Sequence, residues 1–417
     1  TNLADFVKKN QNSPEAEAII RSCVHCGFCL ATCPTYQLLG DELDSPRGRI
    51  YLMKQVLEGQ AVTERTQLHL DRCLTCRACE TTCPSGVRYS HLLDITRGIV
   101  EEKVARSNYS KLKRFMVRKF LTSGYVFKLS VKVAQLLRTI LPAKVKATIP
   151  PLQPSANDWS NTRHSRKMLG LDGCVQPTLA PNINAATARV LNKLGISLMN
   201  VKEAGCCGAL AYHLNAQQQG LDAMRHNIDV WWPLIETHQI EAIVISASGC
   251  GVTIKDYGHF LQYDAAYAEK AKAVAALAKD ISEIIAAEVD NLAMLLSKSS
   301  LDHSSKLAFH SPCTLQHGMK IRGVVEKILN SVNITLCPVD NPHLCCGSAG
   351  TYSIFQPALS QQLLKDKVIA LTADNPDQIV TANIGCLMHI QSGTTLPVRH
   401  WIELLDTLMD AQTPLCP

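Results

Sequence analysis

One cysteine signature, written twice, constrains this chain more than any other feature. The first copy is Cys23-Val-His-Cys26-Gly-Phe-Cys29-Leu-Ala-Thr-Cys33-Pro34, and the second is Cys73-Leu-Thr-Cys76-Arg-Ala-Cys79-Glu-Thr-Thr-Cys83-Pro84. Both read C-x2-C-x2-C-x3-C-P and lie 50 positions apart. Three thiolates separated by two residues each fold around one corner set of an iron–sulfur cubane. The fourth, followed by proline, points away and ligates the other cluster. The spacing therefore assigns Cys23, Cys26, Cys29 and Cys83 to one [4Fe-4S] cluster, and Cys73, Cys76, Cys79 and Cys33 to a second. Structural zinc also uses paired C-x2-C, but it takes four ligands per ion and has no use for a third step plus Cys-Pro, repeated.

The rest of the composition narrows the classes. The chain has 417 residues, enough for two or three domains, and 18 cysteines. It opens on polar residues, Thr1-Asn-Leu-Ala-Asp, with no secretory leader visible. Many cysteines without an export signal point to a reducing compartment and metal ligation, not a disulfide framework. No uninterrupted apolar run reaches membrane-span length. A net charge of +6 is mild for this size, and no base-reading motif appears, so nucleic acid is not expected as a partner.

Before the first signature and between the two, the pattern is helical. Pro14 to Arg21 reads as a short helix. Ser45-Pro46-Arg47-Gly48-Arg49-Ile50, running to Gly59, carries an N-cap serine, a proline at the first helical position and a glycine after the last turn. A further helix is expected from Val62 to Arg72. Small bacterial ferredoxins join such motifs by short strands, so residues 1–100 are predicted to form a helical dicluster ferredoxin domain. Arg47 and Arg49 are candidates to neutralise cluster charge or dock a partner, with a solvated helix start as the plainer reading.

Residues 103–146 hold twelve Lys or Arg and no Asp or Glu. Apolar residues recur at helical spacing: Leu112, Phe115, Met116, Phe120, then Val126, Leu129, Val133, Leu136, Leu137 and Ile140. Ser123-Gly124 breaks the pattern into two helices and Pro142 stops the second. A basic amphipathic pair like this suits an anionic membrane surface. The same stripe also suits packing against the rest of the protein with the basic face solvated. A proline-rich linker with Pro142, Pro150, Pro151 and Pro154 follows, so residues 101–164 form the connection.

The remainder is an internal repeat. Cys174 lies 32 positions before Cys206-Cys207-Gly208, and Cys250 follows; Cys313 lies 32 positions before Cys345-Cys346-Gly347, and Cys386 follows. Short apolar runs alternate with helical patterns such as Ala185–Leu194 and Arg322–Asn330, which means parallel βαβ units. Two repeated lobes are expected, at 165–300 and 301–417. In open parallel sheets the carboxyl ends of strands collect the ligand site. The four cysteines of each copy are therefore expected at one edge, as a possible further cluster site or as buried thiols packing like small hydrophobes. The fold class is multidomain, α plus α/β.

The ensemble resembles the family of heterodisulfide reductase subunits, the iron–sulfur subunit of anaerobic glycerol-3-phosphate dehydrogenase and, most nearly, the glycolate oxidase iron–sulfur subunit family. The strings that carry this are Cys23-Val-His-Cys-Gly-Phe-Cys, Leu38-Leu-Gly-Asp-Glu-Leu-Asp with Pro46-Arg-Gly-Arg, Cys83-Pro-Ser-Gly-Val-Arg, Asn184-Ala-Ala-Thr-Ala-Arg-Val-Leu, Glu203-Ala-Gly-Cys-Cys-Gly-Ala, Leu344-Cys-Cys-Gly-Ser-Ala-Gly-Thr-Tyr and Thr381-Ala-Asn-Ile-Gly-Cys. The resemblance covers nearly the whole chain and is weakest over 105–165. It implies an electron-transfer subunit of a bacterial complex. In that complex FAD-binding glycolate oxidase subunits oxidise glycolate and a quinone receives the electrons, on the cytoplasmic face of the inner membrane with peripheral contact.

Heterodisulfide reductase repeats end in C-x2-C, whereas here the last position is Thr253 in one copy and His389 in the other. Each repeat thus offers four cysteines, one fewer than that family's unusual cluster uses. The chain has no G-x-G-x-x-G after a strand, no P-loop and no H-E-x-x-H. FAD is therefore expected on partner subunits, and the chain is not expected to oxidise glycolate alone. A thiol–disulfide reductase, a lactate or glycerol-3-phosphate dehydrogenase subunit, and a cluster-storing scaffold are the alternatives. His310, His317, His343 and His389 crowd the second repeat, where the first has His213. His389 is the candidate for proton delivery, with a polar loop residue as the plain alternative.

Overall fold

The computed structural model describes residues 2–138, 140, 159, 162–296 and 305–410. The expected start of the linker, with Pro142, Pro150, Pro151 and Pro154, lies outside the described residues. The first hundred residues are helical: Ser13–Ser22, Pro34–Leu39, Pro46–Leu57, Glu64–Asp71, Ala78–Thr82 and Tyr89–Lys103 are the main segments. Ser45 caps Pro46–Leu57 by accepting from Gly48 N at 2.9 Å. The next helix begins at Glu64 and not at Val62, because Thr63 takes the N-cap and accepts from Thr66 N. These helices bury Ile19, Ile20, Met53, Leu57, Leu92 and Leu93 in one core, so the cysteine loops sit on a packed base.

The two signature loops share a backbone device. His25 and Gly27 have φ of 53° and 85°, and Thr75 and Arg77, 50 positions on, have 54° and 59°. Left-handed residues in a short loop turn successive amides to one side, which makes a cradle for an anion. An iron–sulfur cluster with its thiolates is such an anion.

Beyond the linker stand two parallel sheets. Strands β1 (Arg166–Gly170), β2 (Ile196–Asn200), β3 (Ile240–Ile245) and β4 (Ala278–Asp280) lie in the order β2-β1-β3-β4. Strands β5 (Leu307–His310), β6 (Leu336–Cys337), β7 (Gln378–Thr381) and β8 (Val398–His400) repeat it as β6-β5-β7-β8. All pairings are parallel. In each sheet the connection reverses direction beside the first strand, so a crevice opens at the carboxyl ends of β1 and β3, and of β5 and β7.

The lobes share one core. Ile183, Leu191 and Ile285 from the first pack in the same apolar cluster as Ile328, Ile390 and Leu405 from the second. Arg189 pairs with Asp406 at 2.5 Å, and His400 Nε2 lies 2.8 Å from Ser246 O. The crevices of the two sheets are thereby held on one side of the molecule.

The basic stretch forms helices Asn108–Thr122 and Gly124–Leu137, broken at Ser123. The first buries none of its side chains and the second buries Phe127 alone among its described residues. Leu112, Phe115, Met116, Leu129, Val133 and Leu136 face outward, Leu136 with 79 % of its surface exposed. The apolar stripe therefore does not pack into the core. Ion pairs from Arg106 and Arg114 to Asp71 fasten the base of the hairpin, and Arg114 stacks over the Phe355 ring. No described helix is long and apolar enough to cross a membrane.

Candidate metal centres

Cys23, Cys26, Cys29 and Cys83 line one depression at the surface, with Cys79 in its wall. Val24 and Phe28 stand exposed at its rim, 67 % and 64 % open to solvent. Arg47 reaches over Gly27 and pairs with Glu42 at 2.8 Å. Burial pushes the Cys29 thiol up to about 11 and raises Cys23 as well, with Cys83 and Cys26 adding to it. A bare thiolate is disfavoured here, which suits a set of sulfurs meant for a bound metal.

Cys33, Cys73, Cys76 and Cys79 line a second, interior space. Burial pushes Cys76 and Cys79 well up. Cys73 Sγ accepts from Thr75 N at 3.4 Å and Tyr89 Oη at 3.8 Å. Arg49 is 1 % exposed and lies 4.0 Å from Cys33 Sγ. It donates to Thr35 Oγ1, His69 O and Asp44 Oδ1. Arg49 is thus too deep to dock a partner, and its charge faces the second cysteine set with Asp44 as counter-ion.

The repeat cysteines meet at the crevices. Cys174 lies in the loop after β1, four residues beyond the strand's end, and Cys206-Cys207 follow β2. Cys250 is the third residue of helix Ser248–Lys255, and Cys386 is the third of Ile384–Gln391. Both sulfurs therefore sit at a helix N-terminus, where the dipole favours an anion. Cys174 and Cys207 hydrogen-bond to Cys206, which lowers Cys206 and raises the other two. In the second lobe Cys313 Sγ lies 3.8 Å from Cys345 Sγ. The glycine after each cysteine pair is obligatory. Gly208 and Gly347 have φ of 89° and 90°, and a Cβ on either would come 2.6 Å from a backbone carbonyl oxygen, that of Gly220 in Gln217–Thr237 or of Ser360 in Pro357–Thr372.

All eight repeat cysteines border one cavity of about 540 Å³, together with Cys73 and Cys76 of the interior ferredoxin site. That volume falls within the range of about 300–1,000 Å³ usual for small-molecule sites. The two lobes close on each other across it, with Ser248 Oγ 2.7 Å from Thr314 Oγ1. Arg114 and Leu121 of the basic hairpin also line the cavity, with Phe355 beside them.

The histidines separate by position. His389 lines the cavity, and its Nε2 bonds Ser360 Oγ at 3.1 Å. His213 lines it too, at the end of a short helix, paired with Asp94 at 3.2 Å. His317 is held by Thr81, Arg322 and His343 O. His310 is different: a ring nitrogen of His310 and the sulfurs of Cys346 and Cys386 lie within 4.8 Å of one another. Sequence reasoning grouped His310 with its neighbours but did not single it out; the signal was its place three residues before Cys313, where the first copy has Leu171.

Residues 19–87 match the 4Fe-4S dicluster domain family, and residues 169–255 and 307–391 each match the Cysteine-rich domain family. The chain is 53 % identical to the glycolate oxidase iron–sulfur subunit of Escherichia coli, over 99 % of this chain and 100 % of that one. It is 30 % identical to a probable glycolate oxidase iron–sulfur subunit of Bacillus subtilis, over 95 % and 94 %. It is 28 % identical to lactate utilization protein A of an Exiguobacterium species, over 56 % of this chain and 94 % of that one. The dicluster match and the cysteine groupings of both repeats mark an iron–sulfur protein.

Proposed function

The chain belongs to the glycolate oxidase iron–sulfur subunit family, and from that premise we propose that it carries electrons from FAD on partner subunits to a membrane quinone, on the cytoplasmic face of the inner membrane. Each bound cluster supplies one-electron storage, which matches a two-electron flavin to single-electron transfer. The chain's own residues set the order of sites. Cys23, Cys26, Cys29 and Cys83 would hold the outer cluster under the exposed rim of Val24 and Phe28, which suits a docking partner. Cys33, Cys73, Cys76 and Cys79 would hold the inner one, with Arg49 offsetting its negative charge. The cysteine sets of the two lobes would hold further iron.

One observation carries the reading: the inner cysteine site and both repeat sites border one cavity whose wall includes Arg114 and Leu121 of the outward-facing hairpin. A quinone headgroup arriving from a membrane under that hairpin would meet the cavity directly. His389, at the same wall, is proposed to deliver a proton, since quinone reduction consumes protons as well as electrons. The greater identity and coverage against glycolate oxidase subunits favour glycolate over lactate as the substrate of the complex. Affinity purification under argon, followed by flavin analysis and iron counting, tests the reading. Co-purifying FAD subunits and iron on this chain are expected; an iron-loaded chain that captures no flavoprotein would overturn it.

A further inference from the structure

The cysteine set of the second lobe has an imidazole built into it. His310 ends strand β5 and is 2 % exposed. Its ring lies against Cys346 and Cys386, with ligand atoms within 4.8 Å of one another. Its Nε2 is buried and has no hydrogen-bond partner. Leaving a polar nitrogen so placed costs about 1–3 kcal/mol, and a metal bound to the lone pair removes that cost. The neighbouring histidines are otherwise engaged, His389 Nε2 by Ser360 Oγ and His317 Nε2 by His343 O.

We propose that His310 is a nitrogen ligand, through Nε2, of the iron centre held by the second lobe's cysteines. This rests on the reading that the lobe binds iron. The first lobe has no counterpart, because Leu171 stands three residues before Cys174 and is buried at 5 % exposure. The two lobes therefore carry unlike centres: thiolate alone in the first, thiolate and imidazole in the second. His310 stands where the first copy has Leu171, so the second lobe keeps its four cysteines and adds a neutral donor. Because exchange of Cys for His raises the potential of iron–sulfur centres, the reverse exchange at His310 adds a negative charge and lowers it.

Pulsed electron paramagnetic resonance on the anaerobically purified complex tests this, with natural-abundance and ¹⁵N-histidine protein poised from oxidised to reduced. The expected result is a histidine nitrogen coupling that switches isotope with the label, is lost in His310→Cys and persists in His389→Ala. His310→Cys is also expected to keep the lobe's iron and to lower one midpoint potential, while the signals of the two ferredoxin-type clusters stay unchanged. A coupling that survives in His310→Cys overturns the assignment. Iron beyond that of the two ferredoxin-type clusters, with no histidine coupling at any poise, overturns the ligand and spares the centre. Iron no greater than those two clusters require overturns both. If His310→Cys does not fold, the labelled wild type still decides whether any histidine binds.

Discussion

Single residues decide whether the sulfur sites form. Gly347 combines left-handed φ with contact against Ser360 O. Gly347→Ala is expected to cost about 1–3 kcal/mol from backbone strain alone and to lower the iron content of the second lobe; Gly208→Ala is expected to do the same in the first. Iron analysis and thermal unfolding of the two variants check this. Arg49→Met would leave Asp44 with Arg72 at 2.8 Å but would take the donor from the buried His69 carbonyl and Thr35 Oγ1, a loss of about 1–3 kcal/mol for an unsatisfied buried group, read as a lower unfolding midpoint of the metal-loaded chain. His389→Ala is expected to slow quinone reduction more than His213→Ala; equal rates would remove the proton-delivery role. The cysteines themselves were legible because ligand spacing is local. Arg49's depth and His310's orphaned nitrogen were not, because both depend on which strand end meets which helix, and a sequence does not print that.

Helices and strands were legible where caps and periodicity agree. The Ser45 cap, the break at Ser123 and the βαβ alternation all come from short-range chemistry. What the basic hairpin does with its apolar side was not legible, since a core-facing stripe and a membrane-facing one have the same period. The structure turns that side outward. Each exposed Lys near an anionic leaflet contributes about 1 kcal/mol, or about fivefold in affinity, and Lys111, Lys119, Lys128 and Lys132 are all exposed. Sedimentation with anionic vesicles is expected to weaken stepwise as these are changed to Ala, to weaken with salt, and to fail for Leu112→Asp with Leu129→Asp. Binding indifferent to lipid charge would contradict this. Iron uptake by the metal-free chain is also expected to strengthen as pH rises. Burial holds thiols such as Cys29 protonated, so metal entry must expel protons; iron titrations over a rising pH series measure it.

At the scale of the molecule, the repeat was readable from its 139-residue cysteine offset, but the fusion of the lobes was not. The sequence divides into two lobes, whereas Leu191 of the first and Leu405 of the second belong to one core. That fusion matters because it brings both repeat sites to the inner ferredoxin site. Cys76 is one of the points where the two halves meet: like Cys73 it lines both the inner site and the shared cavity, and burial, with Cys313 beside it, pushes its thiol up. The central claim is that electrons must pass this point. The direct measurement is glycolate-dependent reduction of quinone and of a flavin-directed dye by the assembled complex carrying Cys76→Ser. The account predicts that quinone reduction is lost while dye reduction survives. Undiminished quinone reduction in that variant would contradict it.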